Sequence, residues 1–422
     1  VGISSAEARV EPTVQARTGD NTTVNTKTFR LSSVIESGDI SATPDRNPEG
    51  VQTARATATS AAGGVLLGGT GSDAEAIIKP NVRTTLGKSN TLNIEEELHV
   101  HAIPHVSGFS DANGYSGGLL AGGATLATTK VDTTTTVELD KESTISTVDG
   151  AVDITAFSHQ KLWSEAAAGS GGGVSGNAAL AETDSDAQTT TSIQDGNRIY
   201  AGNISLVGEN DVRFDGYADS SNASVVGGSG ADLDHTSDAE ATVKIGNDDV
   251  DNNTIADVLL SVFDDGLDID AKNEITKYNP SLLPDNQADT TWDSGVSVGS
   301  GGVANGSAAD SDIDIVNSSQ VDIGKNIQLS GLGTKGPNAA APSRPSPIQI
   351  DAVNTSQVLG DVELDAGGAM ADGGVSLTGN SDNTATIDIG EDSIITTFGD
   401  VRIGGRADVN MNLHARAKTY GL

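Results

Sequence analysis

The chain has 422 residues and no cysteine, which excludes disulfides and thiolate metal sites. Its 59 acidic against 24 basic residues give a formal net charge of −35, a surface that repels nucleic-acid phosphates and anionic membranes and attracts cations. Aromatics are only 3% and glycines number 51, so the core must be thin and filled by Val, Ile, Leu and Ala, and no apolar run reaches the ~18 residues of a membrane span.

The first element is a repeat. Ala6-Glu7-Ala8, Pro12, Val14 and Gly19 return as Ala74-Glu75-Ala76, Pro80, Val82 and Gly87, all at one constant offset. Ser237-Asp238-Ala239-Glu240-Ala241 also matches Ser72-Asp73-Ala74-Glu75-Ala76 letter for letter. Self-similarity on this scale marks units stacked along an axis. Glu36–Gly50, with Pro44 and Pro48, reads as a projecting loop.

A glycine cluster follows at Gly64-Val65-Leu66-Leu67-Gly68-Gly69 and recurs at 118–123. Looser copies stand at 172–176, 225–228, 301–304 and 367–370. Gly87-Lys88-Ser89 ends like a phosphate loop, but Val82 occupies the place of the required first glycine, so that reading fails. His99, His101 and His105 are half of the six histidines. On a strand His99 and His101 share a face, and His105 after a turn at Pro104 would close a zinc or copper site. The plainer reading is a row of solvent-facing imidazoles.

Strand signals dominate the middle of the chain. Thr133–Val137 and Thr189–Ile193 have the threonine enrichment of exposed strand faces. Alternating runs recur at Val152-Asp153-Ile154, Ile204-Ser205-Leu206, Leu267-Asp268-Ile269 and Val362-Glu363-Leu364. A second set ends in glycine: Val243-Lys244-Ile245-Gly246, Val321-Asp322-Ile323-Gly324 and Ile387-Asp388-Ile389-Gly390. Gly227–Asp234 resembles one calcium-binding nonapeptide of repeat-in-toxin type, with Asp232 as its ligand. Asp234 stands where an apolar residue belongs, and no tandem copy follows.

Asp249 and Asp251 lie in an aspartate- and asparagine-dense turn at 247–253, and Asp264-Asp265-Gly266 forms another. Either is a hydrated turn or a weak Ca²⁺ site; Thr254 replaces the glycine of a helix-loop-helix site. Thr254–Phe263 has helical spacing at Ile255, Val258, Leu259 and Val262 and predicts a short helix, with a strand over Leu259–Phe263 as the alternative. Tyr278–Asp293 and Lys335–Pro347 are proline-bearing loops. Gly295-Val296-Ser297-Val298-Gly299 spells a nucleophile elbow, but the glycine- and serine-rich stretch after it lacks the helix such an elbow needs, so chance explains it. Asp310, Asp312 and Asp314 alternate along the outer face of a strand. His414–Lys418 resembles Thr53–Thr57. With Val1 falling inside a repeat unit and no signal peptide in view, the expectation is a segment of a longer chain or a processed product.

These signals predict an all-β chain, one continuous right-handed parallel β-helix over 1–422 with loops inserted near 36–50, 278–293 and 335–347. At ~4.8 Å per rung and roughly 20–25 residues per rung, the rod would be on the order of 80 Å long, with open sheet edges at both ends. The alanine-rich, glycine-cluster and Val-Asp-Ile-type units, such as Val321-Asp322-Ile323-Gly324, resemble the giant filamentous haemagglutinin-like adhesins of bacterial surfaces. The resemblance covers most of the chain as a pattern of composition and repeat; the family's secretion-domain region is not seen. It implies a right-handed parallel β-helix, secretion to the bacterial surface or exterior, and an adhesive or matrix-building role.

The expected function is structural: a filament subunit or surface-fibre shaft that self-associates end to end. The alternative is an adhesin shaft whose proline-rich loops contact a host or glycan ligand. A polysaccharide-active enzyme is the weaker reading, because Trp163 and Trp292 are scattered rather than lining a groove. No catalytic or cofactor-binding residue is assigned. Asp249, Asp251, Asp232, His99 and His101 are the candidate metal ligands, with Ca²⁺ the candidate ion for the aspartates. No nucleic acid and no membrane insertion are expected.

Overall fold

The computed structural model describes residues 1–36, 53–147, 150–246, 257–277, 295–331 and 346–421. Among the described residues there is no helix, and 17 strands carry nearly all of the chain. In order they are β1 Gly2–Val10, β2 Thr13–Arg17, β3 Thr23–Glu36, β4 Ala54–Gly63, β5 Leu67–Ile78, β6 Asn81–Leu86, β7 Thr91–Leu139, β8 Thr144–Thr147 and β9 Ala151–Ile193. Then come β10 Arg198–Ile245, β11 Val258–Lys277, β12 Gly295–Ile323, β13 Ile327–Gly331, β14 Ile348–Val375, β15 Thr378–Ile389, β16 Ile394–Thr397 and β17 Val401–Tyr420. Their pairings are parallel.

The period-two pattern sets the two faces. Along β9, Val152, Ile154 and Ala156 are buried while Asp153 and Thr155 point outward. The ladder then gives the length of one pass. Leu98 lies opposite Val152, Val152 opposite Ile204, and Ile348 opposite Val401. Where nothing is inserted, residues that face each other on successive levels are therefore 52 to 54 apart in numbering, as His159 and Asp211 or His99 and Asp153 are. A pass is thus more than twice as long as the rung expected from sequence. Each pass is two long legs facing one another across the interior: Ser110 meets Thr129 at 2.8 Å, Ser185 meets Gln160 at 2.7 Å and Ser170 meets Asn177 at 3.1 Å. The Val-x-Ile runs and the glycine clusters sit at different places within the same pass.

The legs join at the glycine cluster at one end and at a tight turn at the other. The turn needs a left-handed residue, supplied by Asn21, Ser89, Glu142, Gly196, Asn326 and Asp392. Backbone bonds tie these turns into a column: Asn21 N–H to Lys88, Ser89 to Lys141, Glu142 to Asp195, Asp257 to Asn326 and Asn326 to Glu391, at 2.8–3.0 Å. Gly196 bonds Asp257 at 2.5 Å, which completes seven levels. At ~4.8 Å per level the stack is about 34 Å tall, well short of the expected rod.

The constant offset seen in the sequence is the ladder itself: Ala6 pairs Ala74, Ala8 pairs Ala76 and Val14 pairs Val82. The third echo is not. Ser72 lies in a column with Thr125, Ala179 and Ala231, whereas Ser237 stacks over Ser185. The match at Ser237 is compositional. His414–Lys418 occupies the same leg as Thr53–Thr57 but out of register with it: Asp361 and Thr57, rather than Thr53, lie in the column under His414.

The expected loops lie almost wholly outside the described residues. The ladder nevertheless shows where extra residues enter. Glu36 pairs His105 while Ala54 pairs Gly108, so the offset between partners drops sharply across that stretch. Phe214 pairs Lys277 while Tyr217 pairs Gly295, so there it rises by the same amount. Each change is an insertion that leaves the pairing beyond it intact.

Two aliphatic clusters fill the interior. One, nearer the turns, holds Leu98, Val152, Ile204, Leu267 and Ile348. The other, nearer the glycine ends, holds Val106, Leu162, Phe214, Ala231 and Leu364. A polar seam separates them. Asn210 donates to Asn273 at 2.8 Å, Asn273 to Asn354 at 3.3 Å, and Asn354 to the Thr384 carbonyl at 2.6 Å, a ladder of stacked amides.

Three expectations change. The threonine runs are half interior: Thr133, Thr135, Thr189 and Thr191 are fully buried, and Thr133 accepts from Gln160 at 2.6 Å. The Thr133 and Thr191 hydroxyls serve buried hydrogen bonds, to Ser158 and to the Val207 carbonyl, which overrides surface propensity at those two positions. Val258–Phe263 belongs to β11, so the helix gives way to the strand alternative, with Val258, Leu260 and Val262 all pointing inward. Pro104 makes no turn. It lies within β7, and the β7–β9 ladder skips Ile103 and Pro104, as the missing N–H requires.

Candidate functional site

Among the described residues one group of three side chains converges as metal ligands would: His99, His101 and Asp153. His99 and His101 share the outer face of β7, and Asp153 stands directly opposite His99 one level on. Asp153 Oδ2 lies 2.8 Å from His101 Nε2 and 3.4 Å from His99 Nδ1. The Thr155 hydroxyl donates to Asp153 Oδ1 at 2.6 Å and so orients the carboxylate. Glu97 Oε2 lies 3.0 Å from His99 Nε2. Burial opposes ionisation of Asp153, but the hydrogen bonds from His101 and Thr155 hold its carboxyl below the ordinary range.

This corrects the sequence-derived third ligand. Because Pro104 stays in the strand, His105 is carried on along the face and packs on His159, ring centroids 5.9 Å apart, and on Phe157 at 5.8 Å. Asp153 replaces it. The signal was present in Val152-Asp153-Ile154, but it becomes legible only once the pass length places that unit above His99. Two imidazoles and one carboxylate suit Zn²⁺ with a fourth position open. As they stand, the same atoms form a hydrogen-bonded clasp between two levels. Arg30, opposite His99 on the level below, opposes a cation there.

Asp232 lies on the outer face of β10, opposite Asp310, with Asp234 opposite Asp312 and Glu182. Burial, then Asp310 and Asp312, raise the Asp232 carboxyl, and burial with Asp232 and Asp312 pushes Asp234 up to about 6. Asp270, beside Asp268 and Asp351, is likewise pushed up to about 6, first by burial. These rows are a continuous strand face and not the turn of a calcium nonapeptide. Asp249 and Asp251 lie outside the described residues. Asp264 and Asp265 are exposed where the β10–β11 ladder shifts register. Ser297 sits in the uninterrupted strand β12, so the elbow motif has no elbow.

Sequence reading missed a buried charge pair. Lys277 Nζ lies 2.9 Å from Asp215 Oδ1, both side chains essentially inaccessible. His235 stacks on Phe214 at 5.0 Å, and its Nδ1 lies 2.6 Å from the Thr183 hydroxyl. Burial, then Lys277, holds His235 well below its ordinary value. Single charged residues in alternating runs look solvent-facing in sequence; parity within the strand is what places these inside.

The axial faces are the remaining candidates. Among the described residues β1, β2, β3 and β4 pair on one side only, and so do β15, β16 and β17. On the last level inward-pointing Val401 and Ile403 remain 48% and 47% exposed, whereas Ile348 and Ile350 beneath them are fully covered. No family model, curated protein or solved structure matches the chain.

Proposed function

We propose that the chain is a right-handed parallel β-helix that serves as a structural rod, a subunit of an extracellular filament or the shaft of a bacterial surface fibre. The observation that carries this reading is the pair of open axial faces. Each offers a row of free backbone donors and acceptors plus uncovered aliphatic side chains such as Val401 and Ile403. Such an edge is satisfied by another parallel edge, from further repeats of like kind or from a second copy. Right-handedness follows from the strong preference of parallel crossovers for that hand. Stiffness comes from ladders running along the axis, and the acidic faces keep neighbouring rods apart.

Electron microscopy of the purified chain over a concentration series tests it. Fibres that lengthen with concentration are expected, and Ile403→Lys, which places a charge on one axial face, shortens them. Separate particles about 34 Å tall at every concentration would overturn the self-assembling filament and leave the fibre shaft, whose faces are met by further repeats.

A further inference from the structure

At the glycine end of each pass the distribution of polarity is reversed. Inside, Ser116, Ser170, Asn177 and Asn222 are buried. Outside, Leu67, Leu120, Val174, Val226, Ala304 and Met370 stack in one column, in register from level to level. Leu67 is 70% exposed and Met370 68%. With their neighbours, ten Val, Leu and Met side chains stand out along this edge. No charged residue occurs in segments 63–69, 117–123, 171–177, 223–228, 299–306 or 366–371. On a chain of net charge −35, this uncharged strip is also an apolar ridge running the height of the stack.

We propose that this ridge is a lateral interface between two copies of the chain. Aliphatic side chains offer about 60–120 Å² each on full burial, so ten of them, about three-fifths exposed on average, present about 360–720 Å². Its upper end passes the ~300–600 Å² patch of an ordinary monomer and approaches the ~800 Å² per partner of a stable interface. Two bodies this acidic repel along their charged faces, and here they meet without desolvating a charge. A second copy carries a ridge of the same height, and a two-fold axis perpendicular to the stack lays one upon the other. The ridge lies on the side of the rod, so this contact does not depend on axial stacking.

The chain has no cysteine, so Val225→Cys places a single thiol on the ridge and Lys141→Cys places one on the opposite turn. Under diamide, the ridge thiol is expected to form disulfide-linked pairs at least tenfold faster than the turn thiol. Sedimentation of Leu67→Glu/Leu120→Glu/Val226→Glu should give half the mass per unit length of the parent at unchanged circular dichroism. Equal disulfide rates, or an unchanged mass, would overturn the proposal. Capture of the parent by phosphatidylcholine vesicles, with ridge disulfides no faster than the control, would overturn it in favour of a bilayer. The disulfide rate reads the lateral contact whether or not rods grow end to end.

Discussion

The side chains that close the turns do more than the turns' sequences suggest. Asn197 is fully buried; its amide donates to the Gln194 and Asp140 carbonyls at 2.6 and 2.9 Å while its Oδ1 accepts from the Ser143 N–H at 3.0 Å. Asn90 does the same on a lower level for the N–H of Thr22 and the carbonyl of Gly87. Asn197→Ala orphans three backbone groups, so a loss of about 1–3 kcal/mol is expected in urea denaturation. Leu67→Ala on the ridge is the control and should cost the isolated chain almost nothing. Lys277→Met is more severe. It leaves Asp215, whose carboxyl burial already raises, without its counter-ion in the interior, and a loss of about 3–5 kcal/mol is expected, with Asp215→Asn/Lys277→Met recovering most of it. His99, His101 and Asp153 give the third test at this scale. Titration calorimetry with Zn²⁺ should show one site lost in Asp153→Asn but kept in His105→Ala, and no heat from the parent would leave the clasp purely structural.

Facing rows of carboxylates make each strand's stability depend on pH in a direction the geometry fixes. Asp234 and Asp270 titrate near 6 in the fold, above an unperturbed aspartate, because burial and neighbouring carboxylates penalise their charge. The folded state therefore holds more protons than the unfolded one between about pH 4 and 6, and acidification from pH 7 through this window stabilises the fold. His235 works the other way. Its imidazole is held neutral, so below about pH 6.5 the unfolded chain gains a proton that the fold refuses. In the parent these slopes oppose each other. Asp234→Asn should raise stability at pH 7 by about 0.2–1 kcal/mol, the size of one like-charge cross-strand pair, and leave the histidine slope more visible in thermal melts at pH 5 to 7. A melting temperature for Asp234→Asn below that of the parent at pH 7 would show that the row is not under repulsion. Strand identity and parity were readable from the alternation at Val152–Ile154 and Ile387–Ile389. What an outward aspartate meets was not, because its cross-strand neighbours lie a whole pass away along the chain, as Asp153 does from His99.

At the scale of the whole molecule, the stacking axis was legible and the size of a turn was not. The constant offset between Ala6 and Ala74 and the aligned glycine clusters are consequences of the ladder, and both can be seen without coordinates. A single pass holds two such runs, Ile204–Leu206 and Val243–Ile245, with a glycine cluster between them, so treating them as successive rungs halves the turn and more than doubles the height. Uneven insertions, such as the one between Glu36 and Ala54, hide the true period from inspection. The corrected dimensions sharpen what axial growth demands. On the proposed end-to-end assembly each added copy extends the stack by only about 34 Å and brings another net charge of −35 along, so repulsion between consecutive copies is dense. Salt reduces the screening length from about 10 Å at 0.1 M to about 3 Å at 1 M, while backbone ladders and aliphatic contacts at the faces persist. Fibres measured by electron microscopy should therefore lengthen as NaCl rises from 0.1 to 1 M. Shortening over that range would mean that ion pairs, rather than sheet edges, hold the faces together.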